Sequence, residues 1–456
     1  MAAELRDYTF LGTTQSLCPR CRRLVPAKIV VRDRRVYFRK QCPDHGAIED
    51  FVCSDVRYYD RHELDEPAKQ VRLHATEASK GCPYDCGLCP EHEQHTCVGL
   101  AEITSACNLK CPMCFAESGP GGKHWTFEEF TRVVDNFVRQ EHEVDVLQLS
   151  GGEPTIHPEI VRFARYAYEQ PVQVLMINTN GIRLANDREL VKALAPMRDR
   201  LEIYLQFDGF SERTHQELRG ESLMAIKLRA LDNLAEHGIR STLVCTVQHG
   251  VNVDELGAIV KFGLERPWVR GASFQPATYV GRHTNPKDLE NRATIPDVVK
   301  AIVAQTDGIF AEEDFLPVPC AHPNCHMMTY VYRGEGKPVP VSRFLDLRKN
   351  SDLIANTLVY TPAKAKAIVS AFLKRQEGCC DPAGAKFVEA ALEEKLTGAE
   401  VFRITLTAFL DKHIFDVRRV MKCCVGFLLP SGHTVPFCAY NTLYRDGTVP
   451  LPPLKA

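Results

Sequence analysis

The sequence predicts an α/β fold whose centre is a partial (β/α)6 barrel. Strand-like and helix-like segments alternate six times between residues 99 and 308, as expected of parallel strands joined by crossover helices. Cysteines cluster on both sides of this region, which indicates metal-binding segments outside the barrel. We therefore divide the chain into a small N-terminal metal-binding module of the rubredoxin or zinc-ribbon kind (1–60), a Cys-rich auxiliary-cluster insert (61–98), the barrel (99–308) and a C-terminal auxiliary-cluster domain (309–456).

Each barrel element follows from a local pattern. The expected strands are mostly apolar and end in polar residues; they are 99–106, 144–149, 172–177, 203–207, 240–247 and 271–275. The expected helices have a period of about 3.6 residues; they are 127–139, 157–168, 187–194, 222–237, 253–265 and 296–305. Thr126 and Glu129 have the spacing of a capping box at the start of the first helix. Outside the barrel, residues 30–38 predict a hairpin and residues 363–375 a helix.

Composition is typical of a globular protein. The 456 residues are 45% hydrophobic and 25% charged, and the net charge of −2 excludes a general polyanion-binding protein. The N-terminus has no apolar targeting segment, and no stretch of the sequence is long and apolar enough to span a membrane. We expect a cytoplasmic protein, and peripheral contact with the inner face of the membrane stays open.

Nineteen cysteines exceed what packing requires, and without a secretion signal they indicate metal sites rather than disulfides. The central group is Cys107, Cys111 and Cys114, which follow the first barrel strand with C-x3-C-x2-C spacing. Three thiolates can hold three irons of a [4Fe–4S] cubane and leave the fourth iron open. S-adenosylmethionine (SAM) can chelate that iron, and one electron then cleaves its C–S bond to give a 5′-deoxyadenosyl radical. A zinc knuckle is the alternative for this spacing taken alone.

Polar residues at the ends of several barrel strands favour the cluster interpretation. The carboxyl ends of parallel strands share one face of a barrel, so these residues would meet the cysteine loop there. Glycines would let the backbone approach an ammonium group, and an aromatic ring would stack near adenine. The expected SAM contacts are Phe115, Gly151, Gly152, Glu153, Pro154, Asn180, Gln206, Asp208 and Gln275. Each could be an ordinary loop residue, but in this combination the chain resembles the radical SAM superfamily.

A second cysteine group precedes the barrel. It repeats the C-x3-C-x2-C spacing and adds a fourth thiol close by, and its members are Cys82, Cys86, Cys89 and Cys97. Four thiolates can close all four irons of an auxiliary [4Fe–4S] cluster. A four-Cys zinc site is the alternative.

Two further groups complete the metal predictions. Knuckle spacing in the N-terminal module predicts one mononuclear iron or zinc ion held by Cys18, Cys21, Cys42 and His45, with Cys53 as an alternative fourth ligand. In the C-terminal domain, folding would bring together another cluster set, Cys320, Cys325, Cys423 and Cys438. Cys424 competes with Cys423 for this role, and buried structural cysteines are the alternative.

A basic run overlaps the N-terminal module. Its members are Arg20, Arg22, Arg23, Lys28, Arg32, Arg34, Arg35, Arg39 and Lys40. A solvated hairpin face is the usual meaning of such a run. Contact with anionic headgroups is an alternative, and we do not expect nucleic acid as a partner.

The assembled motifs resemble those of the tetraether lipid synthase family of radical SAM enzymes. The segments that carry the resemblance run from about Cys18 to Tyr440, and they are CPDHG, GCPYDCGLCPEHEQHTC, EITSACNLKCPMCFAESG, LSGGEPTIHPEI, NTNG, YLQFDG and PFCAYNT. The resemblance implies three [4Fe–4S] clusters, SAM and one mononuclear iron or zinc. An electron donor of the flavodoxin or ferredoxin type would be the redox partner.

The leading expectation from this resemblance is a lipid synthase. Its radical would abstract hydrogen from the ends of lipid alkyl chains and join them through a carbon–carbon bond, so a lipid or another alkyl molecule would be the substrate. The alternative is a radical SAM C-methylase of a pterin-like small molecule. A further alternative is an iron–sulfur redox or nucleic-acid-binding protein, against which the predicted SAM contacts argue.

Overall fold

The computed structural model describes residues 6–283, 288–334, 337–375 and 382–455. The chain begins with four antiparallel strands in sequential order, β1 (Thr9–Leu17), β2 (Leu24–Arg32), β3 (Arg35–Cys42) and β4 (Gly46–Cys53). The predicted hairpin is present between β2 and β3. Its turn residues Asp33 and Arg34 both have positive φ, 50° and 65°, as a type I′ turn requires to match the twist of its strands.

Six parallel strands and their helices form the centre of the molecule, as predicted. The strands are β5 (Val98–Thr104), β6 (Val144–Gly151), β7 (Val172–Thr179), β8 (Leu201–Gln206), β9 (Arg240–Val247) and β10 (Val269–Pro276). The helices are α1 (Phe127–Glu141), α2 (Ile160–Glu169), α3 (Ile182–Asn186), α4 (Arg188–Leu194), α5 (Glu212–Arg219), α6 (Met224–Glu236), α7 (Leu256–Leu264) and α8 (Ile295–Gln305). The partial barrel is therefore confirmed, although α3 and α5 are not predicted by the sequence pattern.

The first barrel helix shows how sequence positions these elements. Thr126 Oγ1 accepts from the Glu129 N–H at 3.2 Å, and the Glu129 carboxylate accepts from the Thr126 N–H at 2.8 Å. This is the predicted capping box. The buried face of α1 packs on the sheet and on α2, where the rings of Phe130 and Phe163 stack with centroids 4.4 Å apart.

The C-terminal segment adds strands to the same sheet. Its elements are β11 (Leu316–Pro317), β12 (His326–Tyr332), β13 (Val339–Pro340), α9 (Ser351–Ile354), α10 (Pro362–Arg375), α11 (Pro382–Leu392), β14 (Val401–Thr407), α12 (Val417–Met421), β15 (Val425–Leu428), β16 (Thr434–Pro436) and α13 (Phe437–Ala439). Strand β14 pairs in parallel with β10, and β15 pairs in parallel with β5. The segment predicted as a domain of its own therefore extends both edges of the barrel sheet, because a partial barrel leaves its first and last strands with unpaired edges.

A bilayer-spanning helix, which would have to be long and apolar, does not occur in the described parts of the chain.

Candidate active site

The predicted cluster cysteines lie in a loop that follows β5 and is held by neighbouring backbone. The Cys107 N–H donates to the Gly119 carbonyl at 2.9 Å, and the Glu153 N–H donates to the Ala106 carbonyl at 2.9 Å. Arg282, beyond β10, donates to the carbonyls of Cys111 and Ser118. The loop is therefore anchored to segments that follow the first, second and sixth barrel strands.

Two glycines after β6 allow this close approach. Gly151 has φ of +128°, and a Cβ there would lie 2.1 Å from the Thr104 carbonyl oxygen. A Cβ on Gly152 would lie 2.2 Å from the Ala106 carbonyl oxygen. Because these two residues have no side chain, the end of β6 packs directly on the cysteine loop. The two glycines thus have a structural role in addition to the SAM contact that we predict.

Glu153 has a different surrounding from the one expected of a direct SAM ligand. Its Oε1 accepts from Thr155 Oγ1 at 2.5 Å and Thr179 Oγ1 at 2.7 Å, and its Oε2 accepts from the Asn180 N–H at 2.7 Å. The side chain is 1% exposed. Since both oxygens already have donors within the protein, Glu153 ties the end of β6 to the end of β7.

Asn180 connects the end of β7 to the cysteine loop. Its Nδ2 donates to Asn108 Oδ1 at 2.7 Å, and its carbonyl accepts from Lys227 Nζ at 2.5 Å. Lys227 is fully buried, and this burial lowers its pKa to about 8. A lysine on α6 therefore supports the site from behind the loop that carries Asn180.

Asp208 holds an arginine rather than facing the cavity. Arg219, the last residue of α5, donates to both Asp208 oxygens at 2.6 and 2.7 Å and to Gln206 Oε1 at 2.8 Å. Burial raises the pKa of the Cys111 thiol, and the positive charge of Arg219 acts against that rise. The sequence reasoning missed Arg219 and Lys227, because isolated basic residues on helices are common on protein surfaces.

The strand ends and the cysteine loop open into a cavity of about 630 Å³ that extends into the barrel. All three cluster cysteines line it. Of the predicted SAM contacts, those that line the cavity are Phe115, Gly151, Gly152, Glu153, Asn180, Gln206 and Gln275. Pro154 instead begins a buried 3₁₀ turn, and Asp208 is fully buried behind Arg219.

The donor set suits an iron–sulfur cluster that binds SAM. Some sets of Cys, His, Asp and Glu side chains in the described residues have donor atoms that all lie within 4.8 Å of one another, as a single metal ion requires. Cys107, Cys111 and Cys114 do not form such a set. A wider spacing fits a cubane, in which each thiolate binds a different iron. Burial raises the pKa of Cys107 to about 12, so its thiol needs a bound metal to become a thiolate ligand.

The N-terminal module brings its four predicted ligands together. The donor atoms of Cys18, Cys21, Cys42 and His45 all lie within 4.8 Å of one another. His45 Nδ1 is 3.6 Å from Cys18 Sγ and 3.5 Å from Cys42 Sγ. The buried Cys53 thiol lies apart from this set and donates to the Asp55 carbonyl at 3.4 Å, so the geometry favours His45 as the fourth ligand.

The second cysteine group is only partly assembled as predicted. Cys82, Cys86 and Cys89 are neighbours. Burial raises the pKa of Cys82 most, and the negative charges of Cys86 and Cys89 raise it further. Cys97 has other neighbours, His95 Nε2 at 3.3 Å and Cys424, whose pKa it helps to raise. The fourth thiol of the sequence motif thus faces the C-terminal segment.

The thiols of the C-terminal segment lie near Cys97 and near one another. Burial, together with Cys423 and Cys325, raises the pKa of Cys438. Cys320 lies near Cys424, which adds to the effect of burial on its pKa. Cys423 thus interacts with Cys438, and Cys424 with Cys97 and Cys320, while Cys325 interacts with both.

Comparison with known proteins adds to this geometry. A model of the radical SAM superfamily matches residues 101–263, and a model of the HMPTM N-terminal zinc ribbon domain matches residues 10–54. The 7,8-dihydro-6-hydroxymethylpterin dimethyltransferase of Methanocaldococcus jannaschii is 33% identical, and the match covers 95% of this chain and 94% of the relative. The mycofactocin maturase MftC of Mycobacterium ulcerans is 30% identical over 38% of this chain and 48% of its own. The crystal structure of Streptococcus suis SuiB bound to precursor peptide SuiA is 18% identical, with a TM-score of 0.41, and the match covers 47% of this chain and 46% of that one.

These findings correct the expected substrate. The resemblance to tetraether lipid synthases is wrong, and with it the prediction of a lipid synthase that joins alkyl chains, because the match along nearly the whole chain is to a pterin dimethyltransferase. The motifs that carry the resemblance serve cluster binding and SAM cleavage, which enzymes with many different substrates have in common. The ribbon model also favours zinc over iron in the N-terminal module.

The match covers nearly the whole chain and therefore extends well beyond the barrel. Radical SAM chemistry requires a [4Fe–4S] cluster and SAM, and the cysteine loop at the mouth of the barrel suits both. The chain therefore belongs to the radical SAM enzymes, in the family of the M. jannaschii 7,8-dihydro-6-hydroxymethylpterin dimethyltransferase.

Proposed function

We propose that the protein is a radical SAM methyltransferase that forms a carbon–methyl bond on a pterin-like heterocycle. The observation that carries the proposal is the match to the M. jannaschii enzyme over 95% of this chain and 94% of the relative. A shared barrel core would support only the cofactor chemistry. Here the similarity also includes the segments around the barrel, which shape the substrate end of the cavity.

The residues at the barrel mouth have separable tasks. Cys107, Cys111 and Cys114 hold the cluster, which when bound supplies the electron that cleaves the C–S bond of SAM. Arg219, positioned by Asp208, places positive charge beside Cys111 and offsets the negative charge of the thiolates. Glu153 and Asn180 keep the ends of β6 and β7 in place beside the loop.

The cavity beyond the mouth suits a planar heterocycle. Its wall presents amide and hydroxyl groups among apolar side chains. Gln206 Nε2 donates to Asn178 Oδ1 at 2.8 Å, and Gln275 Nε2 donates to the Tyr204 hydroxyl at 3.3 Å. A pterin edge alternates hydrogen-bond donors and acceptors, so side chains of this kind can orient it while apolar neighbours contact the ring faces.

The remaining thiols support two auxiliary [4Fe–4S] clusters, in addition to zinc in the ribbon. Their candidate ligands are Cys82, Cys86, Cys89, Cys97, Cys320, Cys325, Cys423, Cys424 and Cys438. A flavodoxin- or ferredoxin-type protein would donate electrons to them or to the SAM cluster. Anaerobic iron, sulfide and zinc analysis of the reconstituted protein tests this count; iron for a single cluster would refute the auxiliary sites.

The function is tested by incubating reduced, reconstituted protein with SAM and 6-hydroxymethyl-7,8-dihydropterin. We expect 5′-deoxyadenosine and a pterin product that is heavier by one CH₂ unit per methyl group, and SAM labelled in its methyl group will show whether SAM is the methyl source. The variant in which Cys107, Cys111 and Cys114 are all Ala should form neither product while it retains auxiliary iron. SAM cleavage without any change in the mass of the pterin would refute the proposed substrate class.

A further inference from the structure

Three arginines line the cavity at the end of the barrel opposite the cysteine loop. Arg240 begins β9, Arg270 is the second residue of β10 and Arg403 lies near the start of β14. Together they form what we call the arginine layer. Two acidic residues line the same part of the cavity, Glu202 near the start of β8 and Asp314 just before β11.

Strand pairing brings the three arginines and Glu202 side by side. The strands β8, β9, β10 and β14 are consecutive neighbours in the sheet. Glu202 pairs in register with Arg240, and Gly271, which follows Arg270, pairs in register with Arg403. The layer is therefore set by the parallel sheet itself and does not depend on a loop.

The guanidinium groups are only partly satisfied within the protein. The Nε atoms of Arg240 and Arg270 are buried and have no hydrogen-bond partner among the residues that the structure describes. Arg403 reaches Glu202 Oε1 at 3.5 Å, a long contact, and its side chain is 25% exposed to the cavity. Buried polar groups without partners are rare in native proteins, and here they border an open space.

The charges do not balance either. Three guanidinium groups meet one carboxylate, Glu202, because Asp314, the other carboxylate at this level, is already paired with Arg343 at 2.8 Å. Glu202 also accepts a hydrogen bond from Thr242 Oγ1 at 2.5 Å. Burial lowers the pKa of Arg270 to about 10; Glu202 acts against this shift, whereas Arg240 and Arg403 add to it. Gathering uncompensated positive charge in a buried site costs free energy that a bound anion would recover.

Hydroxyl groups complete the lining. Tyr204, Tyr330 and Tyr360 also line the cavity, and the rings of Tyr330 and Tyr360 meet edge to face with centroids 5.2 Å apart. Each of the three interacts electrostatically with Arg403. Arginine forks and hydroxyl donors are the groups with which proteins bind phosphate and carboxylate.

We propose that the arginine layer is a binding subsite for an oxyanion, and that the substrate carries a phosphate ester or carboxylate that docks there. Glu202 lies four residues before Gln206 on β8, so the layer is about 13 Å from the strand ends at about 3.3 Å per residue. A bicyclic pterin with a short anionic substituent can span that distance. The identity of the bound ring rests on the proposed function, whereas oxyanion binding does not.

The first experiment measures binding without turnover. Reconstituted holoenzyme is titrated calorimetrically with inorganic phosphate, pyrophosphate and acetate under anaerobic conditions. We expect saturable binding of at least one of them, weakened at least tenfold in Arg270→Met and Arg403→Met. Arg270→Lys, which keeps the charge but loses the planar fork, should retain part of the affinity. Phosphate binding without acetate binding would identify a phosphate ester, and the reverse pattern a carboxylate.

A matched control separates the site from general charge. Arg266 lies at the same end of the barrel, stacks on Phe262 and does not line the cavity, so Arg266→Met should bind each anion as the wild-type protein does. Thermal melting and substrate-free SAM cleavage verify that each variant is folded and holds its cluster. If folded variants bind the anions as the wild-type protein does, or if the wild-type protein binds none of them, the subsite is overturned, whatever happens to the pterin assay.

A second experiment joins the subsite to the substrate. SAM cleavage is compared with 6-hydroxymethyl-7,8-dihydropterin and with its phosphate ester. We expect the ester to have the lower KM in the wild-type protein, and the difference to disappear in Arg403→Met. Equal KM values in wild type, combined with intact methylation, would refute the anionic substrate and leave the proposed methyltransferase standing.

Discussion

Arg219 joins the ends of β8 and β9 through its hydrogen bonds. It donates to Gln206, the last residue of β8, to Asp208 just after β8, and to Thr246 Oγ1 on β9 at 3.2 Å. Asp208 is fully buried and Arg219 holds its pKa low against the effect of burial. The Arg219–Asp208 pair therefore has two roles. Its structural role is that each charge compensates the other inside the protein, and its electrostatic role is that Arg219 places positive charge near Cys111.

Replacing Arg219 should affect both parts. Arg219→Met leaves Asp208 as an uncompensated buried carboxylate, which costs about 3–5 kcal/mol of stability, and it removes positive charge near the cluster. We expect a lower midpoint of denaturant unfolding and a more negative reduction potential of the SAM cluster, with less 5′-deoxyadenosine. Arg219→Lys should restore more of the potential than of the stability, and the exposed Arg213→Met is the control. An unchanged potential in a folded Arg219→Met protein would contradict the electrostatic part.

Glu153 provides a second test at the same scale. In Glu153→Gln, one oxygen becomes an amide N–H₂ that faces donors from Thr179 or Asn180, and a lost buried hydrogen bond of this kind costs about 1–3 kcal/mol. We expect lower stability and weaker SAM binding, measured by urea unfolding and equilibrium binding. Glu159→Gln, at the solvent-exposed start of α2, should change neither. SAM affinity equal to wild type would show that the ends of β6 and β7 do not need this tie.

The residues of the site were predictable where the chain itself gives a pattern. Thiol spacing and strand ends predict the cysteine loop, Gly151, Gly152 and Asn180, because these signals are local in sequence. The arginine layer was not predictable, since Arg240, Arg270 and Arg403 meet only through strand pairing. The distinct surroundings of Cys423 and Cys424 likewise depend on tertiary contacts that no spacing records.

At the scale of elements, the ribbon and the barrel follow different physical rules. The six barrel strands alternate with amphipathic helices, so periodicity predicts them. Helices α3 and α5 are short, and α5 is almost entirely polar, so their hydrophobic period is too weak to detect. The pairing of β14 and β15 with the barrel edges joins segments far apart in sequence, and such register cannot be derived from local pattern.

The ribbon should depend on its metal. The apolar cluster around the knuckles is small, with Cys18, Val25 and Cys42 as buried members, whereas the rest of the ribbon packs in a larger core with the C-terminal segment. Metal binding should therefore stabilise mainly the knuckle end of the ribbon. We expect His45→Ala to lower bound zinc and to increase proteolysis within residues 10–54, while SAM cleavage persists. Cys53→Ala, which changes a buried thiol outside the ligand set, should keep the full zinc content. Loss of zinc in Cys53→Ala would contradict His45 as the fourth ligand.

Buried carboxylates lie at three of the contacts between segments of the molecule. Asp55, after the ribbon, binds Lys300 of α8 at 2.7 Å, and Asp411 of the C-terminal segment binds Arg292 of the barrel region at 2.8 Å. Asp50 of β4 meets His413 at 3.0 Å and thereby joins the ribbon to the C-terminal segment. In each of the three interfaces the pKa of a carboxylate is lowered against the effect of burial by its hydrogen bonds and neighbouring charges. The partners are Arg57 and Lys300 for Asp55, Arg292 for Asp411, and His413 and Lys40 for Asp50.

These shifts give the protein a defined acid sensitivity. A carboxylate whose pKa is lower in the folded state contributes stability above its unfolded pKa of about 3.9, and this contribution is lost as the pH falls towards the folded pKa. We therefore expect these carboxylates to make the free energy of unfolding, measured by urea titration, fall steeply below about pH 4. A gentler decline should begin near pH 6.5, because burial lowers the pKa of His92 and of His326 to about 4 and unfolding lets both take up a proton. Asp411→Asn should lower stability at pH 7 by about 3–5 kcal/mol, because Arg292 stays buried without its partner, and its decline below pH 4 should be shallower than in wild type. The exposed Asp254→Asn serves as the control.

Because acid also releases metals from thiolate and imidazole ligands, the decisive quantity is the difference between Asp411→Asn and wild type at equal metal content. An acid decline of equal slope in both proteins would mean that Asp411 does not link the C-terminal segment to the barrel.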